Sequence, residues 1–423
     1  MVRLALVRLL SVCWLSLQLL GQTTATEETR AAEITRQRQE KQATLGPEMN
    51  SEWEERVLYI REKRLLERVM GGVAGFRMKL GGLATFGGFA LGPEYLRTDL
   101  KQGRVVVRAA AQATARLFQK YDAEVTVPRF ANEAMFWNVY AVHHNYPQLQ
   151  YYGPGPDSEK TGRSNYRLED TAIDTTLGFR PVRHLMVGGQ IGYLQNNVGP
   201  GTHDRFISTD AQFTEATTPG ITRQADFVRY GAFMQYDYRD NPGGARSGGV
   251  YLAQWGRYVD QTLGQNTHHR LDIEAQQYIP FFNQRRVLAL RGRTSLTDTS
   301  HGQKVPFYLQ PMVGGSENLR GYRPNRFYGD QALFMTAEYR YEIFSGLDMA
   351  IFADAGKVTM LKKDLDFRNL ESSVGFGFRF NAKNNVFLRI DTAFSHEGFQ
   401  VWFKFNNVFS WGAVKTSSSQ GEF

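Results

Sequence analysis

The stretch ALFMTAEYRYEIF, Ala332 to Phe344, alternates in steps of two. Leu333, Met335, Ala337, Tyr339, Tyr341 and Ile343 fall on one face, and Thr336, Glu338, Arg340 and Glu342 on the other. Successive side chains of a β-strand point to opposite sides of the sheet, so this is a strand with one apolar and one charged face. The same period recurs nearby. In LDMAIFADAG, Leu347, Met349, Ile351, Ala353 and Ala355 oppose Asp348, Phe352 and Asp354. In HRLDIEAQQYI, Leu271, Ile273, Ala275 and Ile279 oppose Arg270, Asp272, Glu274 and Gln276. In GFQVWFKF, Phe399, Val401, Phe403 and Phe405 oppose Gln400, Trp402 and Lys404.

Two all-β solutions have such faces. A soluble sandwich buries its apolar faces against each other, whereas a membrane barrel turns them to lipid and lines a wet lumen with polar residues. Strand length favours the barrel, because the alternating runs exceed the usual 5–6 residues or so. Tyrosines near strand ends, Tyr151-Tyr152 and Tyr236/Tyr238, read as interfacial girdles. Mean hydropathy is −0.41 and charged residues are 22 %, which alternating strands produce by averaging. The expected architecture is an all-β transmembrane antiparallel barrel of about sixteen strands, spanning 71–409. The three segments near 76–84, 86–96 and 104–113 are weak strands, so fourteen is the alternative count. Short connections (128–133, 180–184, 281–284, 345–346, 381–384) alternate with long ones (149–163, 198–222, 299–330, 358–368). That pattern places the two kinds at opposite membrane faces.

The first 25 residues differ. Arg3 and Arg8 precede an apolar run from Leu9 to Leu20 and then QTTA, the pattern of an export signal ending at Ala25. The single cysteine, Cys13, lies inside it, so the mature chain offers neither disulfides nor thiolate metal sites. Removing Arg3 and Arg8 takes the formal charge from +8 to +6. The excess is dispersed and forms no nucleic-acid patch. Residues 26–70 are charged, and Ser51 with Glu54 has capping-box spacing ahead of a helical period through Val69. This segment is expected to be a short periplasmic helix outside the lipid. The tail at 410–423 reads as a loose end.

No enzyme motif stands out. GxSxG and HExxH are absent, and GGSEN around Ser316 lacks the strand–turn–helix context of a nucleophile elbow. His143-His144 and His268-His269 are adjacent pairs, which point to opposite strand faces. The expectation is no catalytic residue, no cofactor and no metal, with an outer-membrane hydrolase as the least favoured alternative.

The long connection before Ala332 holds PMVGGSENLRGYRPNRF, 311–327. By alternation Glu338 and Asp354 face the lumen on the two strands that follow. An arginine inserted there would be costly unless paired, and one guanidinium can bridge two carboxylates. Arg320 is therefore expected to lock the loop to Glu338 and Asp354. Gly321 would permit a tight backbone turn and Tyr322 would supply a packing ring. Arg270, Arg291, Arg293, Glu274 and Arg340 are expected to share the lumen.

The run from Pro306 through Phe344, followed by MAIFADAGKV, closely resembles the barrel end of the BamA/TamA-type bacterial surface-antigen superfamily. YDYRDNPGGARSGG, 236–249, is similar to a short periplasmic turn of that family. FKFNNVF is similar to its C-terminal aromatic strand signal, here Phe399, Val401, Phe403, Phe405 and Phe409. The resemblance implies an outer-membrane barrel whose Val/Leu-Arg-Gly-Phe/Tyr loop folds back inside. It also implies a role in polypeptide insertion or translocation, with outer-membrane lipid, client polypeptides and a periplasmic partner as its contacts. Residues 26–70 offer one helix and no strand pair, so no POTRA unit, the mixed α/β module that family members of that kind usually place before the barrel, is expected there. A passive pore or structural barrel is the alternative.

Overall fold

The computed structural model describes residues 74–409 apart from 85–86, 283, 383–384 and 406–408, together with Arg36. The expected signal, the helix over 51–69 and the tail after 410 lie outside the described residues. The strands are β1 (Phe76–Gly82), β2 (Phe89–Leu100), β3 (Val105–Thr114), β4 (Gln119–Phe130), β5 (Met135–Tyr151), β6 (Ser164–Val182), β7 (Leu185–Pro200), β8 (Phe227–Asp237), β9 (Gly248–Asp260), β10 (His268–Phe281), β11 (Arg286–Thr299), β12 (Met312–Val313), β13 (Phe327–Tyr328), β14 (Gln331–Phe344), β15 (Leu347–Thr359), β16 (Glu371–Ala382), β17 (Asn385–Ser395) and β18 (Gly398–Lys404). β12 and β13 form a two-stranded ribbon inside the long loop, and the other strands form one sixteen-stranded antiparallel sheet in chain order. The weak segments at the start are strands, so the count is sixteen. The sheet makes a nearly closed barrel.

Inward and outward positions follow the alternation of the sequence. On β14, Ala337 and Tyr339 are exposed on the outside, while Thr336, Glu338 and Arg340 are buried inside. On β15, Ile351 and Ala353 face out, and Asp348, Phe352 and Asp354 face in. Phe399, Val401, Phe403 and Phe405 all point outward from the last strand or its end. His143 lies on the outer face and His144 on the inner one, so the adjacent histidines do not act together.

Connection lengths depart from strict alternation. The turns at 131–134, 183–184 and 345–346 are short, and those at 152–163, 201–226, 300–330 and 360–370 are long. The 238–247 connection is long on the short-turn end, and 396–397 is a tight turn on the long-loop end. Strands β5, β6 and β7 extend to 17, 19 and 16 residues. A membrane strand needs only about 9–11 residues, so these three rise beyond the bilayer. Their outer faces change accordingly. Ile173, Leu177 and Phe179 are exposed lower on β6, and Arg167, Glu169 and Thr171 lie above them.

At that end the long loops pack on one another. Tyr146, Tyr151, Tyr166, Phe307, Tyr308 and Tyr328 belong to one buried cluster. The ring of Tyr151 meets those of Phe307 and Tyr328 edge-on at 5.1 and 4.9 Å. Tyr151 and Tyr152 are therefore not girdle residues, as their position at a strand end suggested. They face inward and help close the mouth, whereas Tyr236 is exposed on the outer face.

Two outcomes follow. Arginine in place of Ile351, in the lipid-facing stretch of β15, should cost about 2–4 kcal/mol, read as a lowered urea midpoint in lipid vesicles. The second concerns Glu215 in the 201–226 loop. Burial pushes its carboxyl up, but the Gly220 and Thr222 backbone N–H groups at 2.7 and 2.8 Å and the Thr222 hydroxyl at 2.7 Å hold it below its ordinary value. A depressed folded-state pKa contributes stability above the unfolded value of about 4.3 and loses it as pH falls through the folded one. Proteolysis of this loop should be flat from neutral pH down to about pH 5 and rise below about pH 4. Glu215→Gln should abolish that dependence.

Candidate functional site

The 300–330 loop enters the barrel in stages. Phe307 and Tyr308 anchor its first part, with the Phe307 N–H donating to Pro219 O at 2.8 Å. The β12–β13 ribbon then carries the chain inward. Gly314 and Gly315, at φ +119° and +113°, start the tip. A Cβ on Gly314 would come within 2.7 Å of Arg323 O, so only glycine fits. Asn318 stabilises the turn by accepting from the Gly314 and Leu319 N–H groups at 2.8 and 2.7 Å.

Arg320 sits at the tip and is fully buried. Its Nε and Nη2 donate to Asp354 Oδ2 and Oδ1 at 3.0 and 2.8 Å, and Nη1 donates to Glu338 Oε2 at 2.7 Å. Its backbone N–H adds a bond to Asp354 Oδ2 at 3.1 Å. The guanidinium lies 3.3 Å from the Phe352 ring centroid. Phe352 sits between Glu338 and Gly375 in the sheet register, so the ring forms a floor beneath the fork. The three residues expected together, Arg320, Glu338 and Asp354, are within hydrogen-bond distance.

The geometry extends beyond those three. Glu338 also accepts from Arg340 Nε at 2.7 Å and Arg379 Nη2 at 2.9 Å. Asp391 accepts from Arg379 Nη1 at 2.5 Å and Arg389 Nη1 at 2.6 Å, and Arg320 Nη1 is 3.9 Å away. Arg389 reaches back to the loop through Glu317 Oε1 at 2.8 Å and Ser316 O at 2.9 Å. Arg291 donates to Glu317 O at 3.0 Å and to Glu274 Oε1 at 2.8 Å. Arginines 291, 320, 340, 379 and 389 thus meet carboxylates 274, 317, 338, 354 and 391, and their formal charges cancel. Continuing the alternation through GFGFRF would have placed Arg379 inside, and the same step on β17 places Arg389 and Asp391 there. Gly375 and Gly377 share that inner face. A Cβ on Gly377 would meet Asp391 Oδ1 at 2.2 Å, so the glycines make room for the charges. Arg270 and Arg293 also face inward, on Leu309 O and Asp272 respectively.

Gly321 is needed for a different reason from the one expected. Its φ is not in the left-handed region. A Cβ there would lie 2.6 Å from Ser373 Cβ and 2.9 Å from Phe394 O, so glycine allows the loop to touch the barrel wall. Ser395 Oγ donates to Gly321 O at 2.9 Å, and Trp402 Nε1 donates to Arg320 O at 2.7 Å. Tyr322 is buried among Val313, Leu319 and Phe327, with its hydroxyl 2.6 Å from Glu371 Oε2 and 3.0 Å from His396 Nδ1. Higher on the loop, Arg326 donates to Glu397 Oε1 at 2.8 Å and Ser158 O at 2.7 Å. The loop therefore contacts β14, β15, β16, β17 and β18.

One expected site residue is elsewhere. β18 ends at Lys404, so Phe409 is not on its outer face with Phe399, Val401, Phe403 and Phe405. It is fully buried inside with Ala245, Tyr278, Val287 and Ala289. The strand was expected to run on to Phe409, and alternation cannot register where a strand stops.

A family model for the Omp85 superfamily domain matches residues 101–407. The chain belongs to the Omp85 superfamily. It is an integral β-barrel of the bacterial outer membrane. Among solved structures it is similar to BamA from Haemophilus ducreyi lacking POTRA domains 1–3, at 13 % identity and a TM-score of 0.59, covering 78 % of this chain and 68 % of that one. CdiB from Escherichia coli is similar at 10 % identity and a TM-score of 0.54, covering 79 % and 62 % respectively. These likenesses concern the barrel fold. Outer-membrane barrels place their short turns at the periplasm and their longer loops at the exterior.

We propose that Arg320 holds the loop of this Omp85 barrel in place. Losing one partner from a buried ion pair costs about 3–5 kcal/mol, so Arg320→Ala should loosen the loop. The expected readout is faster protease cutting between Gly314 and Arg326 and noisier conductance in planar bilayers. Arg320→Lys should recover part of the effect, because an ammonium lacks the fork. Unchanged proteolysis and conductance in both variants would remove the lock.

Proposed function

We propose that this barrel helps polypeptide enter or cross the outer membrane through the seam between its first and last strands, in concert with a periplasmic partner. One observation carries the reading. Each barrel strand pairs with the next from β1 to β18, yet among the described residues no backbone pairing joins β18 to β1. The two edges are short, at seven residues each. An unpaired strand edge in hydrocarbon leaves N–H and C=O groups without partners, at several kcal/mol per group. Such an edge is a ready acceptor for an incoming strand, which would satisfy it by β-augmentation. Aromatic packing supports the closed state, since the Phe89 and Phe405 rings meet at 5.4 Å. The filled lumen argues against the second reading, a wide passive pore, because the loop and its paired charges occupy the interior. Nothing in this reading calls for catalysis.

Cys13 is the single cysteine of the sequence, so a Cys13→Ser background makes the test clean. Phe89→Cys and Phe405→Cys, joined by a short bifunctional thiol reagent, should close the seam covalently. Delivery of an unfolded outer-membrane client to proteoliposomes should then fall to background, while ion conductance stays at the level of the unlinked protein. Client delivery at full rate through a linked seam would overturn the proposal, and so would a conductance lost in step with the link.

A further inference from the structure

The periplasmic mouth carries two features that neither the loop lock nor the seam uses. The first is the long 238–247 connection between β8 and β9. It reaches over the mouth past β10, β11, β14 and β15. The Val386 N–H donates to Gly243 O at 3.1 Å, and Asn241 Nδ2 donates to Asn385 Oδ1 at 3.3 Å. Arg246 donates to Asp348 Oδ1 at 2.7 Å and to Gln284 O at 2.9 Å, and its Nη1 is 3.5 Å from Glu342 Oε2. Gly243 has no room for a side chain, since a Cβ would lie 2.0 Å from Asn385 Oδ1. The connection is thus a docked strap, and its Ala245 is fully buried beneath it.

The second feature is Phe409. Its ring lies in a slot whose apolar wall is Ala245 from the strap, Tyr278 from β10, and Val287 and Ala289 from β11. The small side chains at 245 and 289 leave space for a ring. Tyr278 approaches at 6.0 Å between centroids. The guanidinium carbons of Arg340 and Arg291 lie 5.3 and 5.6 Å from the Phe409 centroid, within cation–π range. Both cations are already fixed by carboxylates, Arg340 by Glu338 and Arg291 by Glu274. The slot therefore suits an aromatic side chain, and a cation would be repelled from it.

We propose that this slot is an aromatic-binding site and that Phe409 fills it as a latch. The residue follows the end of β18, the strand at the unpaired seam, yet it docks on β10, β11 and the strap. The latch ties the seam strand to the wall across the lumen and closes the periplasmic mouth. Release of Phe409 frees the end of β18 and opens the barrel from below. This holds whether the barrel moves polypeptide or only conducts ions.

The test uses the full-length protein in planar bilayers. Phe409→Ala should raise mean conductance several-fold. The synthetic peptide FNNVFSW, corresponding to 405–411, added from the periplasmic side, should return it to the parental level. A folded Phe409→Ala protein with parental conductance would overturn the latch, and raised conductance that the peptide fails to lower would overturn the binding site. A second variant covers the case in which Phe409→Ala does not fold. Phe409→Cys with Ala289→Cys, oxidised, should hold the segment in place, and dithiothreitol should produce an abrupt conductance increase. Formation of that disulfide with no change on reduction would likewise end the proposal.

Discussion

A fully buried guanidinium inside a membrane barrel sets the terms for the rest of this structure. Removing such an ion from water costs several kcal/mol even after relaxation, and only geometry can return that energy. Arg320 receives it from a two-pronged bond to Asp354, a third bond to Glu338 and the Phe352 ring below. Those carboxylates must then be held in turn, which brings in Arg340, Arg379 and, through Asp391, Arg389. With Glu317 of the loop on Arg389, four arginines and four carboxylates form one neutral network against the last strands, and the glycines at 375 and 377 make room for it.

The same network organises the two ends of the barrel. Toward the exterior, the loop that carries Arg320 continues into the aromatic cluster of Tyr151, Tyr166, Phe307 and Tyr328. Toward the periplasm, Arg340 and Arg291 turn their faces to Phe409 while their edges stay on carboxylates. Loop, wall and terminal segment share charged residues. The β18–β1 seam, without backbone pairing among the described residues, lies beside this sector, with Trp402 of β18 bonded directly to the backbone of Arg320. The last strand, whose backbone partner among the described residues is β17, is thus braced from inside by the loop.

Much of this was legible in the residues themselves. Alternation located all sixteen barrel strands, including the weak first three, because lipid on one side and charge on the other impose a period of two at every membrane strand. It also put Glu338 and Asp354 on the inner face of adjacent strands, where a loop arginine needs counter-charges. The misreadings share a cause. Tyr151 and Tyr152 looked like girdle residues and Phe409 like a strand residue, because composition at a strand end does not say whether the chain keeps its direction. Gly321 looked like a turn glycine, whereas it is small because Ser373 and Phe394, more than fifty residues away in sequence, stand against it.

The sequence by itself therefore determined the barrel, its inner and outer faces and the need to neutralise Arg320. Each follows from local periodicity or from the cost of an unpaired charge, and both can be read without knowing what lies opposite. The tertiary structure alone decided that the strands number sixteen, which carboxylates share which arginines, that the 238–247 turn crosses the mouth, that Phe409 enters a slot on β10 and β11, and that among the described residues no backbone pairing joins β1 to β18. These depend on closure of the sheet, which brings together residues hundreds of positions apart at angles set by register and tilt, and no local pattern encodes that distance.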